Sequence, residues 1–155
     1  CLPGVEGEHS GAVRHGAKLF YAYAEATIPM VTVVLRKAYG GGYVSLGSRH
    51  IGADYVFCLP TAEIAVMGPE SAVSVLYHKE IKAIVENGGD VEAFKKEKAE
   101  EYRREYANPY EAGAKGYIDD VVKPQDVRGR VIDAFASLSG KTVDRPNKKH
   151  GLTPT

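Results

Sequence analysis

At 155 residues the chain fits one domain, and 44% hydrophobic with 26% charged residues is an ordinary globular composition. Its 20 basic and 20 acidic residues cancel, which argues against broad electrostatic capture by nucleic acid or an anionic membrane. No apolar run approaches the roughly 20 residues that cross a bilayer, so no membrane insertion is expected.

The opening Cys1-Leu2-Pro3-Gly4 is not the basic-then-apolar start of a signal peptide. It also lacks an initiator Met, and the chain is read as a piece of a longer polypeptide. Residues 9–27 are expected to form a helix, because Ala12, Val13, Gly16, Leu19, Phe20, Tyr23 and Ala24 recur near a period of 3.6. Pro29 ends it. Residues 30–35, Met-Val-Thr-Val-Val-Leu, suit a strand buried on both faces, the parallel-sheet type.

Arg36-Lys37-Ala38-Tyr39-Gly40-Gly41-Gly42-Tyr43 follows directly, and Val44 to His50 then suits a short helix. Asp54–Leu59 and Glu63–Met67 read as strands, closed by Pro60 and by Gly68-Pro69. Ser71–Val85 is expected as one amphipathic helix, and Asn87-Gly88-Gly89-Asp90 as a turn. Val91–Ala107 is a long charged helix with Phe94, Tyr102 and Tyr106 near one stripe, broken at Asn108-Pro109. A short helical stretch leads to Gly116. A last strand, 117–122, and a last helix from Pro124 to about Leu138 complete the pattern; the tail from Gly140 is expected to be irregular. Strands alternating with helices define the α/β class.

Gly40-Gly41-Gly42 is the candidate site. Glycine allows close approach and backbone donors that face outward. A strand, glycines and a helix N-terminus bring amides and a helix dipole to one point, suited to charge developing on an oxygen. The same run also suits a tight turn with no ligand. No G-x-G-x-x-G or G-x-x-x-x-G-K-[ST] motif is present.

The other polar residues point to plainer roles. Cys1 and Cys58 make neither a disulfide framework nor metal-ligand spacing, so a cytoplasmic, reducing location is expected. His9, His15, His50 and His78 lack ligand spacing, and no metal is expected. Ser10, Ser45 and Ser48 lie in no G-x-S-x-G elbow. Glu6 and Glu8 read as a solvated loop, and the charges from Glu92 to Glu105 as a solvated helix face.

Several runs then occur together in one order. They are Leu2–His9, Arg14–Leu19, Arg36–Gly41, Pro60–Gly68, Asn108-Pro109-Tyr110, Gly116–Val121 and Lys148-Lys149-His150-Gly151. With them the chain resembles the C-terminal part of carboxyltransferase β subunits of biotin-dependent acyl-CoA carboxylases, of the propionyl-CoA carboxylase and methylmalonyl-CoA decarboxylase type. The resemblance implies a crotonase-like fold. It implies that residues 1–155 are an incomplete C-terminal portion of the carboxyltransferase C-domain, the biotin side. The N-terminal acyl-CoA domain would be absent, and the isolated chain inactive.

The implied reaction is carboxyl transfer between carboxybiotin and a short-chain acyl-CoA, with propionyl-CoA the first choice. It runs through enolates held in two backbone oxyanion holes, without a metal in this chain. By resemblance the amides of Gly41 and Gly42 hold the biotin ureido oxygen, and Tyr39, Gly40 and Tyr43 complete the biotin side. A bulky residue at Gly41 is expected to disturb any left-handed backbone there and to fill the ureido space.

Two positions depart from the family. Position 42 is often Ala and is Gly here. Position 44, near the acyl pocket, is often Asp and is Val44 here, which leaves other short acyl groups open. Implied partners are a biotin carboxylase, a biotin carrier protein, the acyl-CoA domain and further copies in a hexamer. Alternatives are the same subunit in a sodium-pumping decarboxylase, a catalytically silent assembly protein, and a crotonase-type hydratase or isomerase.

Overall fold

A computed structural model of the chain describes residues 5–147. The runs at Cys1–Gly4 and Lys148–Gly151 lie outside the described residues. A short helix not expected from the sequence, α1 (Val5–His9), carries Glu6 and Glu8, which read as a loop, and the helix expected over 9–27 is α2 (Ala12–Glu25). The two helices divide at Gly11, whose φ of 88° is left-handed and interrupts a helical run.

The strands form two parallel sheets. β1 (Val31–Val34), β3 (Tyr55–Cys58) and β5 (Asp120–Val121) lie in the order β1-β3-β5, with Val34 opposite Cys58 and Cys58 opposite Val121. β2 (Lys37–Tyr39) and β4 (Glu63–Ala65) form the second, with Lys37 opposite Glu63 and Tyr39 opposite Ala65. β2 was not expected, because three residues are too few to display a period. The strand expected over 117–122 keeps only two ladder residues. Tyr117 N–H instead donates to Ala112 O (2.9 Å), closing the preceding helix.

β3 is the centre of the fold. Val56 and Cys58 are fully buried and face one cluster with Val34, Ala38, Ile64 and Ile118, so this cluster joins the two sheets. Phe57 points the other way, into a cluster with Val122 and Ala134. Burial on both faces is why this strand reads as continuously apolar.

Between β2 and β3 lie α3 (Gly40–Ser45) and a 3₁₀ turn at Arg49–Ile51. This replaces the short helix expected over 44–50. The helix expected over 71–85 is two, α4 (Pro69–Leu76) and α5 (His78–Glu86), divided at Tyr77. The Tyr77 ring packs edge-on against Phe94 at 5.9 Å, with the Lys98 ammonium 5.5 Å from its centre.

The charged helix α6 (Val91–Glu105) starts where the Asp90 carboxylate accepts Ala93 N–H at 2.9 Å. α7 (Pro109–Ala114) starts where the Asn108 side chain accepts Glu111 N–H at 2.9 Å. Pro109 stands at the first helical position, where its missing N–H costs nothing. A 3₁₀ turn at Pro124–Asp126 leads into α8 (Val127–Ser137).

Beyond α8 the described tail is irregular, as expected, but it is tied down. Lys141 Nζ donates to Ile28 O (3.0 Å) and to Asp54 (2.7 Å), and Arg145 donates to Ala24 O (2.6 Å). Among the described residues no helix is long and apolar enough to cross a membrane.

Candidate functional site

The three glycines form the first turn of α3, entered directly from β2 rather than from strand 30–35. Tyr39 is extended (φ −115°, ψ 135°), and Gly40 then turns the chain with φ 54°. A Cβ on Gly40 would stand 2.8 Å from Val66 O, on the chain just past β4. Gly40 is therefore the position where glycine is required, for both conformation and space.

Gly41 and Gly42 differ. Neither has positive φ, and a Cβ on either would meet nothing within 4 Å. The left-handed backbone expected at Gly41 is at Gly40 instead. Gly41 and Gly42 are in the first turn of α3, where an amide has no acceptor within its own helix.

The turn opens on a cleft of ≈ 820 Å³. Gly40, Gly41, Tyr43, Val44 and His50 contribute one side, and Ile64–Met67 continue from β4. The end of α4 (Val75, Leu76) is apolar, while α6 contributes Lys98, Glu101 and Tyr102, and Tyr106 just past its end continues that wall. The lysines are paired: Lys98 with Glu101 at 2.6 Å, and Lys115 with Glu111 at 2.8 Å. Accordingly Glu101 sits below its usual carboxylate range, chiefly through the Lys98 hydrogen bond.

Of the residues expected at this site, Gly40, Gly41, Tyr43 and Val44 line the cleft, whereas Tyr39 and Gly42 are not among its lining residues. The Tyr39 hydroxyl donates to Glu63 Oε2, and its ring lies 3.2 Å from where a Gly68 Cβ would stand. Burial, and then the Glu63 carboxylate, push the Tyr39 phenol well above its ordinary range, so it remains a donor. Tyr43 is half-buried, with its hydroxyl 3.4 Å from Tyr117 O; burial, then Cys58 and Tyr117, raise its phenol as well.

His50 packs in a row of rings, 5.9 Å from Tyr43 and 4.7 Å from Tyr117. Ser45 Oγ donates to Gly42 O (3.3 Å) and Ser48 Oγ to Val44 O (3.1 Å), so both hydroxyls serve the backbone of α3. Among the described residues no group of three or more His, Cys, Asp or Glu is placed to hold a metal.

The cleft wall on α6 was missed from sequence. Its charges read as a solvated face, and only the i,i+4 pair Tyr102 and Tyr106, with rings 5.4 Å apart, hinted at a second surface.

The fold is α/β and crotonase-like, that of carboxyltransferase subunits. The carboxyl transferase domain family matches residues 1–153, and the chain belongs to it. The resemblance read from the motifs is thus borne out.

The chain is 52% identical over 153 residues to the propionyl-CoA carboxylase carboxyltransferase subunit of Haloferax mediterranei. It is also 52% identical over 153 residues to the methylmalonyl-CoA decarboxylase subunit alpha of Propionigenium modestum. A crystal structure of transcarboxylase 12S, with methylmalonyl-coenzyme A and methylmalonic acid bound, matches with TM-score 0.88 and 50% identity. Each match covers 99% of this chain and 29% of the length of the relative.

Proposed function

We propose that the chain forms the biotin side of an acyl-CoA carboxyltransferase site, with the amides of Gly41 and Gly42 as donors to the ureido oxygen. The observation that carries this reading is the Gly40 turn: it starts α3 with those amides in its first turn, at the edge of a cleft. The residues fit the group. Nothing lies within 4 Å of a Cβ position at Gly41 or Gly42, leaving room for a ring. Apolar Val66, Val75 and Leu76 on the same cleft suit a hydrocarbon stem. Carboxybiotin, when bound, supplies the carboxyl group for transfer.

The role of the chain is electrostatic: two fixed amides favour negative charge on the ureido oxygen without reorganising during the reaction. The tyrosine phenols beside the turn are held protonated and so are no base.

A short acyl-CoA, propionyl-CoA first, is the proposed co-substrate, with Val44 at the acyl pocket. Both directions of transfer stay within this reading, since a carboxylase subunit and a decarboxylase subunit are each 52% identical to this chain. A carrier protein bearing biotin and further copies of the subunit are the proposed partners; transcarboxylase 12S itself forms a hexamer assembly.

The test is turnover with free biotin in the full-length subunit that carries this segment. Gly41→Val should lower carboxyl transfer by about 10²–10³, the typical loss of one oxyanion donor, while CoA binding persists. The mechanism of that loss is filled space, since Gly41 φ is not left-handed. Gly42→Ala should be mild, and His50→Ala and His78→Ala should retain turnover. A folded but dead His50→Ala or His78→Ala beside an active Gly41→Val would overturn the reading.

A further inference from the structure

Arg103 lies outside the cleft lining yet holds three carboxylates from three elements. Its Nε is 3.7 Å from Glu63 Oε2 on β4, its Nη2 pairs with Glu70 in the first turn of α4, and its Nη1 is 2.7 Å from Glu100 on α6. The same Glu63 Oε2 accepts the Tyr39 hydroxyl. In register Lys37 stands opposite Glu63 and Tyr39 opposite Ala65, so the Tyr39–Glu63 link runs diagonally across the β2–β4 pair.

We infer that Arg103, Glu63 and Tyr39 form a positioning relay that sets the direction of the Gly41 and Gly42 amides relative to the α6 wall of the cleft. The inference rests on the proposed role of those amides. Tyr39 is the last residue of β2 and Gly40 the first of α3, so a tilt of Tyr39 passes directly into the turn. Toward the end of β4 Gly40 has little room to give, because Val66 O lies 2.8 Å from where a Cβ would stand. On the other side Arg103 belongs to α6, whose Lys98, Glu101 and Tyr102 line the cleft. One guanidinium thereby connects both walls. An arginine suits this place because its planar fork reaches several carboxylates at fixed angles, which an ammonium cannot do. Tyr39 remains a donor throughout, as its phenol is held protonated.

A network that served folding alone would change the unfolding midpoint and leave ligand affinity of the folded protein untouched. The test therefore follows ¹⁵N-labelled amides of Gly41 and Gly42 in the full-length subunit that carries this segment during titration with free biotin. The variants are Tyr39→Phe, Arg103→Met, the double variant and Arg103→Lys. Tyr39→Phe deletes one hydroxyl and keeps the ring against Gly68, so it stays informative if Arg103→Met folds poorly.

The relay predicts that both single variants shift the ligand-free Gly41 and Gly42 resonances. Each should weaken biotin by up to about tenfold, the size of one net hydrogen bond. The double variant should weaken it by less than the product of the singles, because they cut the same chain of contacts. Arg103→Lys should fall between wild type and Arg103→Met. Unchanged biotin affinity in folded Tyr39→Phe and Arg103→Met, or strictly multiplicative effects, would overturn the relay while leaving the amide site standing. Absence of any biotin-induced shift at Gly41 and Gly42 in the wild-type full-length subunit would overturn the amide site itself, and the relay with it.

Discussion

Gly40→Ala separates the residue that shapes the site from those that are proposed to work in it. Alanine at φ 54° must occupy the left-handed region, which costs an L residue about 1–2 kcal/mol. Its Cβ would also stand 2.8 Å from Val66 O, a backbone atom that cannot rotate aside. Relieving such a contact by backbone movement costs about 1–3 kcal/mol. The sum, about 2–5 kcal/mol of destabilisation, is a large part of the stability of a domain this size.

Gly41→Ala is the control. It has open space and no positive φ, so alanine should be neutral or should stabilise α3 by up to about 1 kcal/mol. Urea unfolding followed by circular dichroism reads both, provided the slopes match. A Gly40→Ala midpoint equal to wild type, or a Gly41→Ala midpoint below that of Gly40→Ala, would refute this account of the turn.

Two further outcomes follow from buried polar groups. Burial opposes ionisation of Asp54, but hydrogen bonds from Lys141 and from Met30 N–H, each at 2.7 Å, outweigh it and hold the carboxyl below its usual range. A depressed folded value means the stabilisation is present above the unfolded pKa, near 3.9, and is lost as pH falls through the folded one. Asp54→Asn should therefore be less stable than wild type at pH 7, and urea midpoints should converge as pH drops below about 4; a constant gap would contradict this. Cys58 is fully buried, and burial followed by the Asp120 charge pushes its thiol up to about 11. In a Cys1→Ser background, a thiol reagent at pH 8 should label Cys58 only as the chain unfolds in urea. Immediate labelling without urea would show that the core around β3 is open.

What the sequence determined by itself is what neighbouring residues decide. The apolar segments around Val31–Val34 and Tyr55–Cys58 suited strands of a parallel α/β sheet, and both are; the burial expected on both faces of the first is only partial, since Val34 alone of Val31–Val34 is buried. Asn87–Asp90 was legible as a turn and Asn108-Pro109 as a helix break, because such residues act on the backbone beside them; that Asp90 and Asn108 cap the helices that follow is seen in the structure. The ordered motifs carried the family, and the triple glycine marked the place of the proposed site.

Tertiary structure decided the rest, because the deciding atoms are distant in the chain. β2 exists because Lys37–Tyr39 pairs with residues 63–65, not because three residues show a pattern. The helix over 71–85 divides at Tyr77, where the ring meets Phe94 of another helix. Among three identical neighbours, Gly40 is the one required, since Val66 O approaches that residue and leaves Gly41 and Gly42 open. The charges of α6 became one wall of a cleft only when α4 packed beside them, with β4 lining the same cleft. A glycine run announces freedom of the backbone, but only a carbonyl arriving from 26 positions away determines which glycine must use it.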